Sequence, residues 1–279
     1  MKIRLGLDDL PGGKMKRLSV VALALMGAGT SSLAADLATK APPPAPAAVP
    51  AASGSWQGFY LGGAAGAAFD GSSVQPVLGG DFLVFQPVQR KQQYEVPLGG
   101  AGTVFTGGVY GGYNWQFNSM VVGIEADMNY ADRKVRGTSV QPSLADPSVT
   151  LTRVYGTGGT WFGTVRGRLG WTFEKALIYA TGGLAYGQNG AGYYAGGNGY
   201  NWLGKDSGVR WGWTLGGGAE YRLDQHWSVR AEYLYVSFDG ANFALPLVPS
   251  KPFVDTDFTM TGTAEFNFSV LRGGLTYAF

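Results

Sequence analysis

Glu125 and Asp127 stand two residues apart, so on an extended backbone both carboxylates project from the same side. Carboxylates held together in this way suit general acid–base hydrolysis. The same spacing recurs in Arg166 with Arg168, Glu220 with Arg222, and Arg230 with Glu232, while Arg272 stands alone near the end. Five arginines against four carboxylates make salt bridging the better account, because a buried charge must be paired to be tolerated. Other chemistries fall on counts. His226 is the single histidine and cysteine is absent, which excludes a two-histidine zinc motif, thiolate chemistry and a disulfide frame. Gly107-Gly108, Gly111-Gly112 and Gly216-Gly217-Gly218 lack the helix that a phosphate-binding loop must lead into. Asp255 and Asp257 read as a solvated loop rather than a cation site. No catalytic residue, metal or cofactor is expected.

Strands must position these charges. From Trp56 onward the apolar residues recur with period two, and the segments 56–69, 103–117, 120–132, 160–173, 176–187, 209–223, 227–238 and 264–279 read as eight strands. Asn118-Ser119, Glu174-Lys175 and Asp224-Gln225-His226 supply tight turns. Four long connections, roughly 70–102, 133–159, 188–208 and 239–263, read as loops. Short turns alternating with long loops, on an even number of strands, are the pattern of a transmembrane barrel. The fold class predicted is therefore all-β, an eight-stranded antiparallel up-and-down transmembrane β-barrel.

Magnitude decides which face meets lipid. An arginine facing lipid costs about 2–4 kcal/mol at the midplane. Arg166 and Arg168 therefore point inward, opposite Trp161, Val165, Leu169 and Trp171. The same rule sends Glu125, Asp127, Glu220, Arg222, Arg230, Glu232 and Arg272 into the lumen. It leaves Trp115, Trp161, Trp171, Trp211, Trp213 and Trp227 as an aromatic belt suited to the headgroup region. An eight-stranded barrel is just wide enough for its own side chains, so the lumen charges are expected to be structural. The chain ends on Tyr277 and Phe279, on the face of the last strand that carries Leu271 and Leu275.

The front of the chain gives the destination. Lys16-Arg17, a short apolar stretch from Leu18 and Ser32-Leu33-Ala34 form a secretory signal, so residues 1–34 are set aside. Met15 is a more natural start than Met1. Residues 35–55 are rich in proline and alanine and read as a periplasmic linker, which leaves 56–279 for the barrel. The formal charge of +2 gives no reason to expect nucleic acid.

Several stretches together resemble a known family. They are Ala35-Asp36-Leu37, Trp56-x-Gly58-Phe59-Tyr60-x-Gly62-Gly63, Val165 to Trp171, Tyr179 to Gly187, and Gly273-Gly274-Leu275-Thr276-Tyr277-x-Phe279. The chain resembles the alphaproteobacterial outer-membrane immunogenic proteins, opacity-type β-barrels often labelled porins. That resemblance implies an outer-membrane location and a terminal aromatic, Phe279 with Tyr277, recognised by the insertion machinery. The partners expected are outer-membrane lipid, that machinery and a loop ligand the sequence does not identify, with the barrel a monomer. The function expected is a structural surface protein with a filled polar lumen. The alternatives are a small-solute channel, or binding of haem or a host surface through the loops.

Overall fold

The structure is a computed structural model, and the residues described are 55–80, 98–99, 102–143, 147–197, 200–249 and 258–279. The expected signal sequence, nearly all of the expected linker, and Asp255 with Asp257 lie outside them. Strands run in chain order as β1 (Gly58–Asp70), β2 (Ser73–Gly80), β3 (Leu98–Gly99), β4 (Gly102–Phe117), β5 (Met120–Pro142) and β6 (Thr150–Phe173). They continue as β7 (Ala176–Gly197), β8 (Tyr200–Arg222), β9 (Trp227–Ala244), β10 (Leu247–Pro249) and β11 (Phe258–Ala278). Eight of them pair antiparallel in the order β1-β4-β5-β6-β7-β8-β9-β11, and β1 closes on β11 with Leu61 opposite Tyr277. The ring is an eight-stranded barrel.

The long connections are corrected by the structure. Residues 133–142 and 150–159 are strand, as are 188–197 and 200–208, because β5 to β8 run for 22 to 24 residues each. A transmembrane β-strand needs only about 9–11, so roughly a dozen residues of each strand stand beyond the bilayer. At the usual rise and tilt this wall is roughly 30 Å tall. Within 70–102, β2 continues the line of β1 along β11, pairing Ser73 with Glu265 and Gly80 with Phe258. Within 239–263, β9 runs on to Ala244 and β10 pairs with the far end of β8.

A change of medium explains why these segments look like loops in sequence. Along β11 the outward residues at membrane height are Leu271, Leu275 and Phe279, against inward Arg272 and Thr276. Further up, the inward residues are Ala264, Phe266, Phe268 and Val270, all buried, while Glu265, Asn267 and Ser269 face out. The phase of the strand is unchanged and its polarity is reversed. Below the reversal lipid surrounds the wall, and above it water does, so the apolar face must move inside. The upper interior is a core built on Phe162, Phe238, Phe266, Phe268, Tyr193 and Trp202.

Tight turns join the other end. Asn118 and Glu174 take left-handed backbone, with φ of 54° and 51°. Asparagine tolerates that region, whereas glutamate gains nothing from it. Replacing Glu174 with Asn should raise stability by about 1 kcal/mol, read as a higher urea midpoint in detergent; an unchanged midpoint would mean that the turn carries no strain. In the third turn, Asp224 Oδ1 accepts from the backbone N–H groups of His226 and Trp227, both at 2.8 Å. Those bonds hold its carboxyl below the usual range.

Candidate functional site in the barrel lumen

Register brings the lumen charges together. Glu125 on β5 lies directly opposite Arg166 on β6, and Glu232 on β9 directly opposite Arg272 on β11. Inward side chains at such positions meet across the strand pair. Arg166 Nη2 donates to Glu125 Oε1 and, at 3.0 Å, to Asp127 Oδ2, and its Nη1 reaches Glu232 Oε1 at 3.1 Å. Arg230 grips Glu125 with both terminal nitrogens, at 2.7 and 2.9 Å, and touches Glu232 at 2.8 Å. Arg272 binds Glu232 Oε2 through Nε at 2.8 Å and Asp127 Oδ2 through Nη2 at 2.8 Å. Arg168 completes the set, donating to Glu220 Oε2 at 3.1 Å.

Eight of the nine residues singled out by the strand alternation therefore form one buried cluster of four arginines and four carboxylates. Its formal charge is zero. Arg222 is the exception, and the correction has a simple cause: it lies near the periplasmic end of β8, below the carboxylate layer. Its Nη2 donates to the carbonyl of Ser55 at 2.7 Å, and its guanidinium lies 4.3 Å from the ring of Trp56.

Trp56 needs a second correction. It precedes β1 instead of opening it, and it turns into the barrel mouth, buried against Val121, Leu177 and Tyr179. Its backbone N–H donates to Gln116 Oε1 at 2.6 Å. The space left at this mouth, among Trp56, Asn114, Arg222 and His226, is about 20 Å³.

Three tyrosines that the charge pattern did not flag add further hydrogen bonds in the lumen. Tyr60 donates to Glu125 Oε2 at 2.9 Å, Tyr179 donates to Glu232 Oε1 at 2.9 Å, and Tyr110 shares a hydrogen bond of 2.7 Å with Thr276. Arg168 lies 4.1 Å over Tyr179 and Arg230 lies 3.9 Å over Tyr110. Each ring crosses a glycine on the next strand: Tyr60 opposes Gly112, Tyr110 opposes Gly62 and Tyr179 opposes Gly218. A methyl on Gly218 would sit 2.7 Å from the Tyr179 hydroxyl. The inward phase of Tyr60, Tyr110 and Tyr179 within their strands was the sequence signal that could have found them.

Chemically, this arrangement holds charge in place. Every carboxylate of the cluster is engaged by a guanidinium, so none is poised as a general acid or base. Among the described residues no group of three or more His, Cys, Asp or Glu could hold a metal ion. Outside, the belt tryptophans Trp115, Trp171, Trp211, Trp213 and Trp227 are exposed on the outer wall, and Trp161 is half-exposed. His226 stacks on Tyr277 at 5.5 Å, Trp227 meets Tyr277 edge-on at 5.1 Å, and Phe279 is 77% exposed. A groove of about 540 Å³ lies on this outer apolar surface, between Phe59, Leu61, Tyr113, Ile124 and Phe279.

The family model for the outer membrane protein beta-barrel domain matches residues 20–279. The chain belongs to that family. Among its relatives is the 31 kDa outer-membrane immunogenic protein of Brucella melitensis biotype 1, 36% identical over 273 residues, or 95% of this chain and all of that one. The 22 kDa outer membrane protein of Rhizobium leguminosarum bv. viciae is 30% identical over 193 residues, covering 69% of each chain. The outer membrane protein OprG of Pseudomonas aeruginosa matches in structure with a TM-score of 0.39 at 11% identity, over 80% of this chain and 97% of that one. This member of the family is an outer-membrane β-barrel.

Proposed function

We propose that this barrel works as a structural surface protein with an obstructed lumen, presenting a rigid extracellular wall for contact with partners. The observation that carries the reading is the neutral four-by-four charge cluster crossing the lumen at membrane height. The apolar core above it and Trp56 below it add two further barriers. An interior of eight strands leaves little room for water once these side chains fill it. On this reading the barrel is no enzyme and needs no cofactor. It acts as a monomer anchored in outer-membrane lipid through its aromatic belt, and Tyr277 with Phe279 is the signal read by the insertion machinery. The partner is met at the rim and outer face of the extracellular wall.

Planar-bilayer recording tests this. Refolded protein, shown to be native by heat-modifiable gel mobility, should give no stepwise conductance. Reproducible ohmic steps that change when Arg166 or Glu220 is substituted would establish a narrow channel in its place.

A further inference from the structure

The lipid-facing wall is hollowed across β1, β4, β5 and β6, and strand register shows why. Leu61, Gly111, Ala126 and Val165 lie in one row across these four strands. All four face outward, since Tyr60, Tyr110, Glu125 and Arg166 in the alternate phase are buried in the lumen. Leu61 and Val165 are large and exposed, whereas the two positions between them end in a hydrogen and a methyl. The row is therefore a floor two strands wide between walls about 14 Å apart. Gly111 is half-buried and Ala126 exposed, so the floor is open. Phe59, Tyr113 and Ile124, the next outward row toward the periplasm, form a third side, with the rings of Phe59 and Tyr113 edge-on at 4.7 Å. The groove of about 540 Å³ lies over this floor, and Phe279 closes its corner at the seam.

Depth and chemistry narrow the ligand. Trp115 of the aromatic belt stands four residues from Gly111 along β4, toward the periplasmic turn and on the same face. At the usual rise and tilt the floor lies roughly 10 Å inside that belt residue, in the hydrocarbon of the inner leaflet. The side chains that face the groove are apolar except for the hydroxyl of Tyr113. Tyr60 and Glu125, which back the floor, turn their polar atoms into the lumen. A ligand held by charge or hydrogen bonds finds little to grip here.

We propose that this groove holds one acyl chain of an inner-leaflet phospholipid as a retained ligand, distinct from the lipid that washes over the rest of the wall. Within hydrocarbon no release of water drives such binding, so packing must. A flat wall touches a chain on one side, whereas a groove touches it on three, and an unfilled hollow forfeits those contacts. The headgroup then stands beside Trp115, at the level that aromatic belts occupy. The inference rests on the barrel being anchored in lipid, and it is independent of whether the lumen conducts.

The test is native mass spectrometry of the refolded full chain, reconstituted with palmitoyl-oleoyl phosphatidylethanolamine and then extracted into detergent. The wild-type protein should keep one phospholipid through washes that remove the rest. Ala126→Phe, which fills the floor, should retain it about tenfold less, the loss of roughly ten carbon–carbon contacts. Gly111→Leu should do the same, and a side chain there meets only the tip of Leu61 and the Tyr60 carbonyl, both at 3.3 Å. Ala219→Phe, exposed on the opposite wall, should retain lipid as the wild type does. Heat-modifiable mobility and flotation with liposomes show that each variant folds and enters lipid, which separates loss of the retained chain from loss of anchoring. A wild-type protein that keeps no phospholipid, equal retention in every variant, or an equal loss in Ala219→Phe overturns the proposal. So does a wild-type dimer that Ala126→Phe converts to monomer, because a second copy would then be the occupant.

Discussion

Replacing Glu125 with alanine should lower the unfolding free energy in detergent by about 3–5 kcal/mol, the largest loss of any single substitution in the charge cluster. Glu125 receives both terminal nitrogens of Arg230, one from Arg166, and the hydroxyl of Tyr60. Removing it leaves two guanidiniums desolvated beside a third, Arg168, whose Nη1 sits 3.7 Å from Glu125 Oε2. The cluster then carries a formal charge of +1 on side chains that are all buried. Glu220→Ala should cost less, because Glu220 holds only Arg168 and Ser228 and lies toward the mouth. Urea unfolding followed by tryptophan fluorescence gives the ranking. If Glu125→Ala and Glu220→Ala shift the midpoint equally, or barely at all, the lumen is wet enough to solvate its arginines and the obstructed-lumen reading loses its main support.

The second large effect is expected where no charge is involved. Phe268→Ala should cost about 3–5 kcal/mol, although the residue lies in the part of the chain that stands outside the bilayer. Its ring packs 5.0 Å from Phe162 and 6.0 Å from Phe238, and the fully buried guanidinium of Arg133 lies 3.9 Å over it. Truncation opens a cavity in the upper core and strips a cation of its partner face. Leu271→Ala, three residues away on the lipid-facing wall, should matter far less in detergent, since that side chain is apolar surface in an apolar medium. The same unfolding assay compares the two. A Phe268 variant as stable as the Leu271 variant would mean that the extracellular wall does not fold with the barrel.

The membrane-level half of this barrel was legible because the bilayer imposes a crude rule on it. Arg166, Arg168, Arg230 and Arg272 cannot face lipid, so each fixes the phase of its strand and, with it, the side on which Glu125 or Glu232 must lie. The upper half obeys no such rule. In Phe266-Asn267-Phe268-Ser269-Val270 the alternation is intact, but its apolar face points the other way from that of Leu271-x-Gly273-x-Leu275. Read with a fixed expectation of apolar outside, the upper segments lose their sense and pass for loops. Arg222 was misplaced because alternation gives the side of a residue and not its depth along the barrel. Trp56 reads in sequence as the first residue of the opening strand, and only the neighbours Val121 and Leu177, distant in sequence, show that it turns inward.

Trp56 also sets an order of events. Its seat is made by β5, β7 and β8, while the strand that follows it, β1, pairs with the final strand of the chain. The indole just ahead of β1 therefore has nowhere to go until almost the whole polypeptide has been made and paired. Seam closure and the docking of this indole are consequently late steps on the same clock, and a ring still exposed to quencher marks a barrel that has not yet shut.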